Sequence, residues 1–265
     1  MNPSMGLDPP SMAPILPEER NRKRRDQSAS KDTDASILLS DSAKFRWLGR
    51  QPWPEVARRM QRFAGERKPS DADEIWFCEH HPVFTLGVKT DPSHILDPGD
   101  IPVEQSDRGG QVTYHGPGQL MVYPLLNLRR ARLGPRSLVC ALEAALIDCA
   151  AEFGIKGARR PGAPGVYVAG AKLAAIGLRL RRGCSYHGMA LNVCADLRPF
   201  ARINPCGFAG LQTVNFADLG GPADPSRAAE RLKPHLLGRL YGVGEAGAPA
   251  ERMAASRSAV PASAQ

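Results

Sequence analysis

The stretch GVYVAGAKLAAIGLRLRRGCSYHGMALNV, Gly165 to Val193, decides the fold class. It divides into three apolar runs, 165–168, 172–180 and 186–193, with Gly170 and Arg182-Gly183 where the chain has to turn. Runs of that length, rich in Val, Ile, Tyr and Leu and punctuated by glycine, predict three consecutive strands. Upstream, Leu138, Leu142, Ala145, Leu146, Cys149 and Phe153 share one helical face, and Gly154 stops the pattern, which predicts a helix over about 136–153. Before it, residues 74–79, 82–87 and 120–125 read as strands, the first two around a loop bearing His80 and His81. Residues 55–64 read as a helix, with Pro52 and Pro54 ahead of it and Gly65 behind. Residues 225–241 predict a final pair of helices interrupted at Pro234. Strands on both sides of a long helix imply a mixed β-sheet with helices packed on it, a single α+β domain.

That domain spans residues 44–243. Residues 1–43, rich in Pro, Ser, Asp and Arg, read as a disordered N-terminal extension, with Ile37-Leu38-Leu39 as a candidate docking segment. Residues 244–265, rich in Ala, Ser, Gly and Pro, read as a disordered C-terminal tail. A chain of 265 residues has ample length for a core. It holds no apolar run long enough to span a membrane and no secretory signal, so a cytoplasmic protein without a membrane partner is expected. Six cysteines without metal-ligand spacing, in a chain lacking an export signal, are expected as reduced thiols. Cys140 and Cys149 fall in the helical pattern and read as small hydrophobes. The net charge is +8, and the excess lies in the body, where residues 44–243 carry 27 Lys/Arg against 18 Asp/Glu. Such a body suits an acidic protein partner or nucleic acid, and charge alone does not choose between them.

Two features carry chemistry. Cys206 stands between Pro205 and Gly207, which puts its side chain on a turn, and Lys172 opens the run Lys172-Leu173-Ala174-Ala175-Ile176-Gly177. A thiol needs its thiolate to act as a nucleophile, and a nearby cation favours that form. Lys172 has the parity of Ala174, Ile176, Leu178 and Leu180, the apolar face of its strand, where partial desolvation disfavours the ammonium. A strand-end lysine can equally snorkel into water, and a loop cysteine can be inert. Arg108 to Gly118 holds four glycines within eleven residues and matches neither a Walker loop nor a dinucleotide fingerprint. It reads as a loop and strand lining a pocket, with His115 beside it, or as a plain glycine-rich hairpin. His187 reads first as a structural group, while the small Gly188 and Ala190 share a face able to accept an extended apolar ligand. His80, His81, His94 and His235 read as structural.

The run RGGQVTYHGPGQLMVYPLLNL, then GVYVAGAKLAAIGLRL, HGMALNV and INPCGFAG, resembles the lipoyl(octanoyl) transferases in order and spacing, over about residues 44–243. The segment HHPVFTLGVKTDPSHIL is also similar to their N-terminal portion. The resemblance implies the biotin/lipoate protein ligase-like fold and an octanoyl-[acyl-carrier-protein]:protein N-octanoyltransferase that uses no cofactor. It implies Cys206 as the acyl-thioester nucleophile and Lys172 as general acid and base. Arg108, Gly109, Gly110, Gln111, Val112, Thr113, Tyr114 and His115 would line the acyl pocket. So would Ala175, Ile176 and Gly177, together with Gly188, Met189 and Ala190. The donor would be octanoyl-acyl-carrier protein. The acceptors would be lipoyl domains of 2-oxoacid dehydrogenase E2 subunits and the glycine cleavage H protein, acidic partners that suit the basic body. Met189 stands where the family has Leu or Phe and is expected to tune chain length; Tyr167 in place of Trp and His81 in place of Pro are expected to be neutral. An ATP-dependent lipoate–protein ligase on the same fold would not need Cys206. A non-catalytic nucleic-acid-binding domain would bind with steep salt dependence and would leave the four motifs unexplained.

Overall fold

The computed structural model describes residues 43–204 and 210–242. Ile37-Leu38-Leu39, the C-terminal tail and Cys206 lie outside the described residues, and Ala43, assigned above to the extension, opens the first strand. Strands β1 (Ala43–Gln51) and β2 (Asp73–His80) run parallel, so the chain must cross over between them. Helix α1 (Trp53–Glu66) makes that crossing, with Pro54 in its first turn, where a missing N–H leaves no bond unmade. Val56, Met60 and Ala64, four residues apart, are buried on one face of α1. They pack on Trp76, Cys78, Met121 and Tyr123.

The remaining pairs of the large sheet are antiparallel: β6 (Gln119–Leu125), β9 (Cys184–Asn192), β8 (Ala171–Arg181) and the edge strand β7 (Gly165–Val168). The order is β1-β2-β6-β9-β8-β7, the mixed sheet that the sequence predicts. A smaller sheet, ordered β4-β3-β5, consists of β3 (Val83–Leu86), β4 (Val103–Gln105) and β5 (Thr113–His115). Helices α2 (Pro135–Ala151) and α3 (Pro225–Tyr241) cover the face of the large sheet opposite α1. Leu138, Leu142 and Leu146 of α2 and Leu232 and Leu236 of α3 meet Leu120, Val122, Met189 and Leu191 there. Each such side chain stabilises the fold by roughly 1.5–3 kcal/mol, so this layer is the main core.

Three expectations need correction. First, α3 is one continuous helix through Pro234. Ala228, Ala229, Leu232, Leu236 and Leu240 form a single buried stripe across the proline, while Pro234 itself faces solvent. Burial of the stripe outweighs the local cost of about 3 kcal/mol. Second, Cys140 is exposed, whereas Cys149 is buried and its thiol is pushed up to about 12 by burial. Third, the parity assigned to Lys172 is interrupted. Val166 of β7 faces Ala174, but Tyr167 faces Lys172, so β8 carries one extra residue at this point. Such a bulge shifts the alternation by one residue and re-aims the side chain beside it. Leu173 and Ala174 both enter the main core, and Lys172 turns to the other face with Ala175 and Gly177. Among the described residues no helix is long and apolar enough to cross a membrane.

Candidate functional site

A pocket opens on the α1 face of the large sheet, floored by alternate residues of β6, β9 and β8. The pleat sends Gln119, Met121 and Tyr123 of β6 and Gly188, Ala190 and Asn192 of β9 to this side. Ala175 pairs with Ala190 and Gly177 with Gly188, so these two facing pairs of β8 and β9 give the floor small side chains. Residues 108–113 form a wall. The Gly109 N–H donates to the Leu178 carbonyl at 2.9 Å, and a Cβ at Gly177 would stand 2.8 Å from the Gly109 carbonyl oxygen. Glycine at 177 is therefore what lets the loop lie on the sheet.

Beneath the apolar surface runs a chain of buried polar groups. Arg108 donates to the Thr85 carbonyl at 2.6 Å and to Thr85 Oγ1 from Nε and Nη2 at 3.2 and 2.9 Å. Thr85 Oγ1 lies 3.2 Å from His115 Nε2, and His115 Nδ1 lies 2.8 Å from Gln119 Oε1. Gln119 Nε2 donates to Asn192 Oδ1 at 2.9 Å. Because Gln119 offers its oxygen, His115 carries its proton on Nδ1 and accepts at Nε2, the neutral form. Burial, with His80 and Arg108 nearby, holds its pKa well below the ordinary value. The Asn192 amide reaches toward the carbonyls of Lys172 and Val214 at 3.5 and 3.4 Å. One file of groups thus links Arg108 to the backbone of Lys172.

Lys172 itself is 4% exposed and lines the pocket. Its N–H donates to the Gln212 carbonyl at 2.8 Å, and its carbonyl accepts from Val214 at 3.1 Å. Its Nζ sits 5.2 Å from the centroid of the Tyr167 ring. On the other flank of residue 206, Asn204 donates its N–H to the His94 carbonyl at 2.8 Å. Asn204, Gln212 and Thr213 line one further cavity, of about 360 Å³, which shares Phe200 and Thr213 with the pocket. Of the described residues flanking residue 206, Gln212 and Val214 thus bond Lys172, and Asn204 shares a cavity with Gln212 and Thr213.

His187 also lines the pocket, a role that its sequence position does not reveal. It adopts φ 55, a left-handed conformation rare outside glycine and costing roughly 1–3 kcal/mol. Its Nε2 donates to Asp107 Oδ1 at 2.7 Å, Tyr186 O–H donates to Oδ2, and Trp53 stacks on its ring with centroids 6.3 Å apart. Burial lowers the His187 pKa, with the Asp107 bond acting against it. Burial raises that of Asp107, but the bonds from His187 and Tyr186 outweigh it and hold the carboxyl below its usual range.

Of the sequence-predicted pocket residues, Arg108, Gly109, Gly110, Gln111, Val112, Thr113 and His115 come together here with Ala175, Ile176, Gly177, Gly188 and Ala190. Two do not. Tyr114 turns into a separate cluster with Phe84 and Ile203, and Met189 is fully buried in the core against α2 and α3, the opposite face from Ala190. Gln119, Met121, Tyr123 and Asn192 were missed, although extending the alternation of HGMALNV and QLMVY would have found them. Trp53, Phe200 and Thr213 arrive through tertiary packing and leave no local signal.

This pocket beside a buried lysine occurs on a known fold. Residues 54–236 match the sequence profile of the lipoyl protein ligase A/B catalytic domain. Among solved structures, a bipartite lipoate protein ligase from Thermoplasma acidophilum superposes with a TM-score of 0.61, covering 75% of this chain and 84% of that one at 14% identity. A lipoate-protein ligase A bound with ATP gives 0.61, covering 75% and 85% at 14% identity. At such identity the likeness speaks for the fold alone, and the profile match over most of the chain defines the class. Sequence relatives go further. The octanoyltransferase of Xanthomonas axonopodis pv. citri is 60% identical over 206 residues, 78% of this chain and 87% of that protein. The octanoyltransferase of Alkalilimnicola ehrlichii is 53% identical over 205 residues, 77% and 95% of the two. The chain belongs to the octanoyltransferase family of enzymes, within the lipoyl protein ligase A/B group.

Proposed function

We propose that this enzyme moves an octanoyl group from octanoyl-acyl-carrier protein to the acceptor lysine of lipoyl domains through a thioester on Cys206, with Lys172 as general acid and base. The observation that carries the reading is Lys172, buried at the pocket and hydrogen-bonded through its backbone to Gln212 and Val214, just after the Cys206 loop. The names of the relatives support the acyl group, and the small-residue floor between Ala175 and Ala190 suits an unbranched chain.

In the first half-reaction the Cys206 thiolate attacks the thioester carbonyl carbon. The carbon–sulfur bond to the phosphopantetheine arm breaks, and the Lys172 ammonium gives its proton to the departing sulfur. In the second, the acceptor lysine amine attacks the octanoyl-Cys206 carbonyl and yields a proton to Lys172 as the Cys206 thiolate leaves. A thioester becomes a more stable amide, so the balance needs no ATP. The lipoyl domains of 2-oxoacid dehydrogenase E2 subunits and the glycine cleavage H protein are the acceptors this reading calls for.

Intact-protein mass spectrometry after mixing with octanoyl-carrier protein, without ATP, tests it. One octanoyl group mapping to Cys206 and discharged by a lipoyl domain is expected. Cys206→Ala should abolish the adduct, and Lys172→Ala should slow its formation severely. Octanoylation of the lipoyl domain only from free octanoate and ATP, unaffected by Cys206→Ser, would make the protein a ligase.

A further inference from the structure

Lys172 is a long side chain that the reading above requires to meet a sulfur in one geometry, and such a chain loses about 2 kcal/mol of rotamer freedom when fixed. The bulge in β8 aims its first carbons; something else must hold the far end. We propose that the aromatic ring of Tyr167 is the positioning residue for Lys172, holding its ammonium over the pocket through a cation–π contact. The inference rests on the proposed role of Lys172 and concerns only how that role is maintained.

The contact has the required distance. Nζ stands 5.2 Å from the ring centroid, inside the limit of about 6 Å for such pairs. The two residues are also register partners across the β7–β8 pair, directly beside the bulge. The ring in turn is fixed from several sides. Tyr167 O–H donates to the Ala163 carbonyl at 3.0 Å. Its backbone exchanges hydrogen bonds with Ala158 at 2.9 and 2.8 Å. Two residues earlier, the Gly165 N–H donates to Glu143 Oε1 at 2.9 Å, and Glu143 is itself paired with Arg159. An edge strand would otherwise be the least constrained part of the sheet. Among the described residues the ring is buried without joining either large apolar cluster, so filling the core does not account for it. With little water at the site, the ring's negative face is worth more to a cation than it would be in solvent.

Progressive fluorination of a phenylalanine placed at position 167 separates this role from a merely structural one. Phenylalanine and its mono-, di- and trifluoro forms have nearly one shape but a steadily weaker negative face. The rate of octanoyl-enzyme formation in single turnover is expected to fall about tenfold from the Tyr167→Phe variant across the fluorinated series, with donor KM and thermal midpoint unchanged from that variant. Tyr167→Trp, with the strongest ring for a cation, should equal or exceed the Phe variant; Tyr167→Leu should be slower still. A flat fluorine series overturns the proposal, as does a Leu variant as fast as the parent. Lys172→Ala run alongside tells the two failures apart. If that variant keeps full turnover, the role given to Lys172 is wrong; if it is inactive while the series is flat, only the positioning role of Tyr167 is.

Discussion

Ala190 and Met189 are neighbours in β9, and the pleat sends them to opposite faces: Ala190 into the pocket, Met189 into the core under α2 and α3. The two positions therefore make opposite predictions about chain length. Met189→Leu is close to volume-conserving in a packed core and should cost less than about 1.5 kcal/mol. It should leave the preference among hexanoyl, octanoyl and decanoyl donors unchanged, against the expectation drawn from the sequence resemblance. Ala190→Leu adds bulk to the pocket floor opposite Ala175 and should lower kcat/KM for octanoyl by about tenfold or more while sparing shorter donors. A donor series on both variants, read as ratios of kcat/KM, checks the pair; a preference that moves with Met189 and not with Ala190 would contradict the assignment of faces. At this scale the sequence is legible where the alternation runs undisturbed, as in β9 from Gly188 to Asn192. It failed at Lys172 because Leu173 and Ala174 are both apolar, and nothing in an apolar pair marks an extra residue in a strand. The lysine reached the pocket through a bulge, not through the parity that first suggested it was buried.

Elements with strong patterns were read almost to their ends, α1, α2 and β7 to β9 among them. Those held by context were not. β1 carries Lys44, Arg46 and Arg50 and leaves Trp47 46% exposed. An edge strand of this kind has no clean alternation to detect, and its place beside β2 comes from the crossover through α1. β4 is three residues long and exists by pairing with β3. α3 is the converse case, a proline reading as a break that the buried stripe overrides. Its continuity has a measurable consequence. Pro234 is exposed and within the helix, so Pro234→Ala removes a ring from the turn and supplies an N–H at no cost to the core. The variant should be more stable by about 1–3 kcal/mol, seen as a higher urea midpoint at unchanged slope. No gain would mean that the helix is not continuous in solution and that the two halves pack separately.

Across the whole molecule, three buried histidines stand on or against the pocket, and all three favour the neutral ring. Burial lowers His80 to about 4, and it places His115 and His187 below the ordinary value as well. His80 Nδ1 lies 2.9 Å from the Gln51 carbonyl and Nε2 2.7 Å from the Tyr123 hydroxyl. The ring therefore donates from Nδ1 and accepts at Nε2, tying β2 to the end of β1 and to the pocket floor. Unfolding frees each imidazole to titrate near 6.5, so below that pH the unfolded chain binds more protons than the folded one, and stability falls as pH falls. The histidine contribution is fully present above about pH 6.5 and is lost through the window down to about 4. His80 alone accounts for about 2 kcal/mol between pH 7.5 and 5. The carboxylates held low, Asp107 and Glu74, lose their contribution only below their own unfolded values near 4, so the two windows barely overlap. Urea midpoints measured at half-unit steps from pH 8 to 5 should thus decline below 6.5, and His80→Gln, less stable at neutral pH, should show a shallower decline. A parent midpoint constant down to pH 5 would mean that these rings are hydrated in solution. The dry polar file from Arg108 to Lys172 would then lose its physical basis, because neutral His115 joins it as a single fixed tautomer only where water is absent.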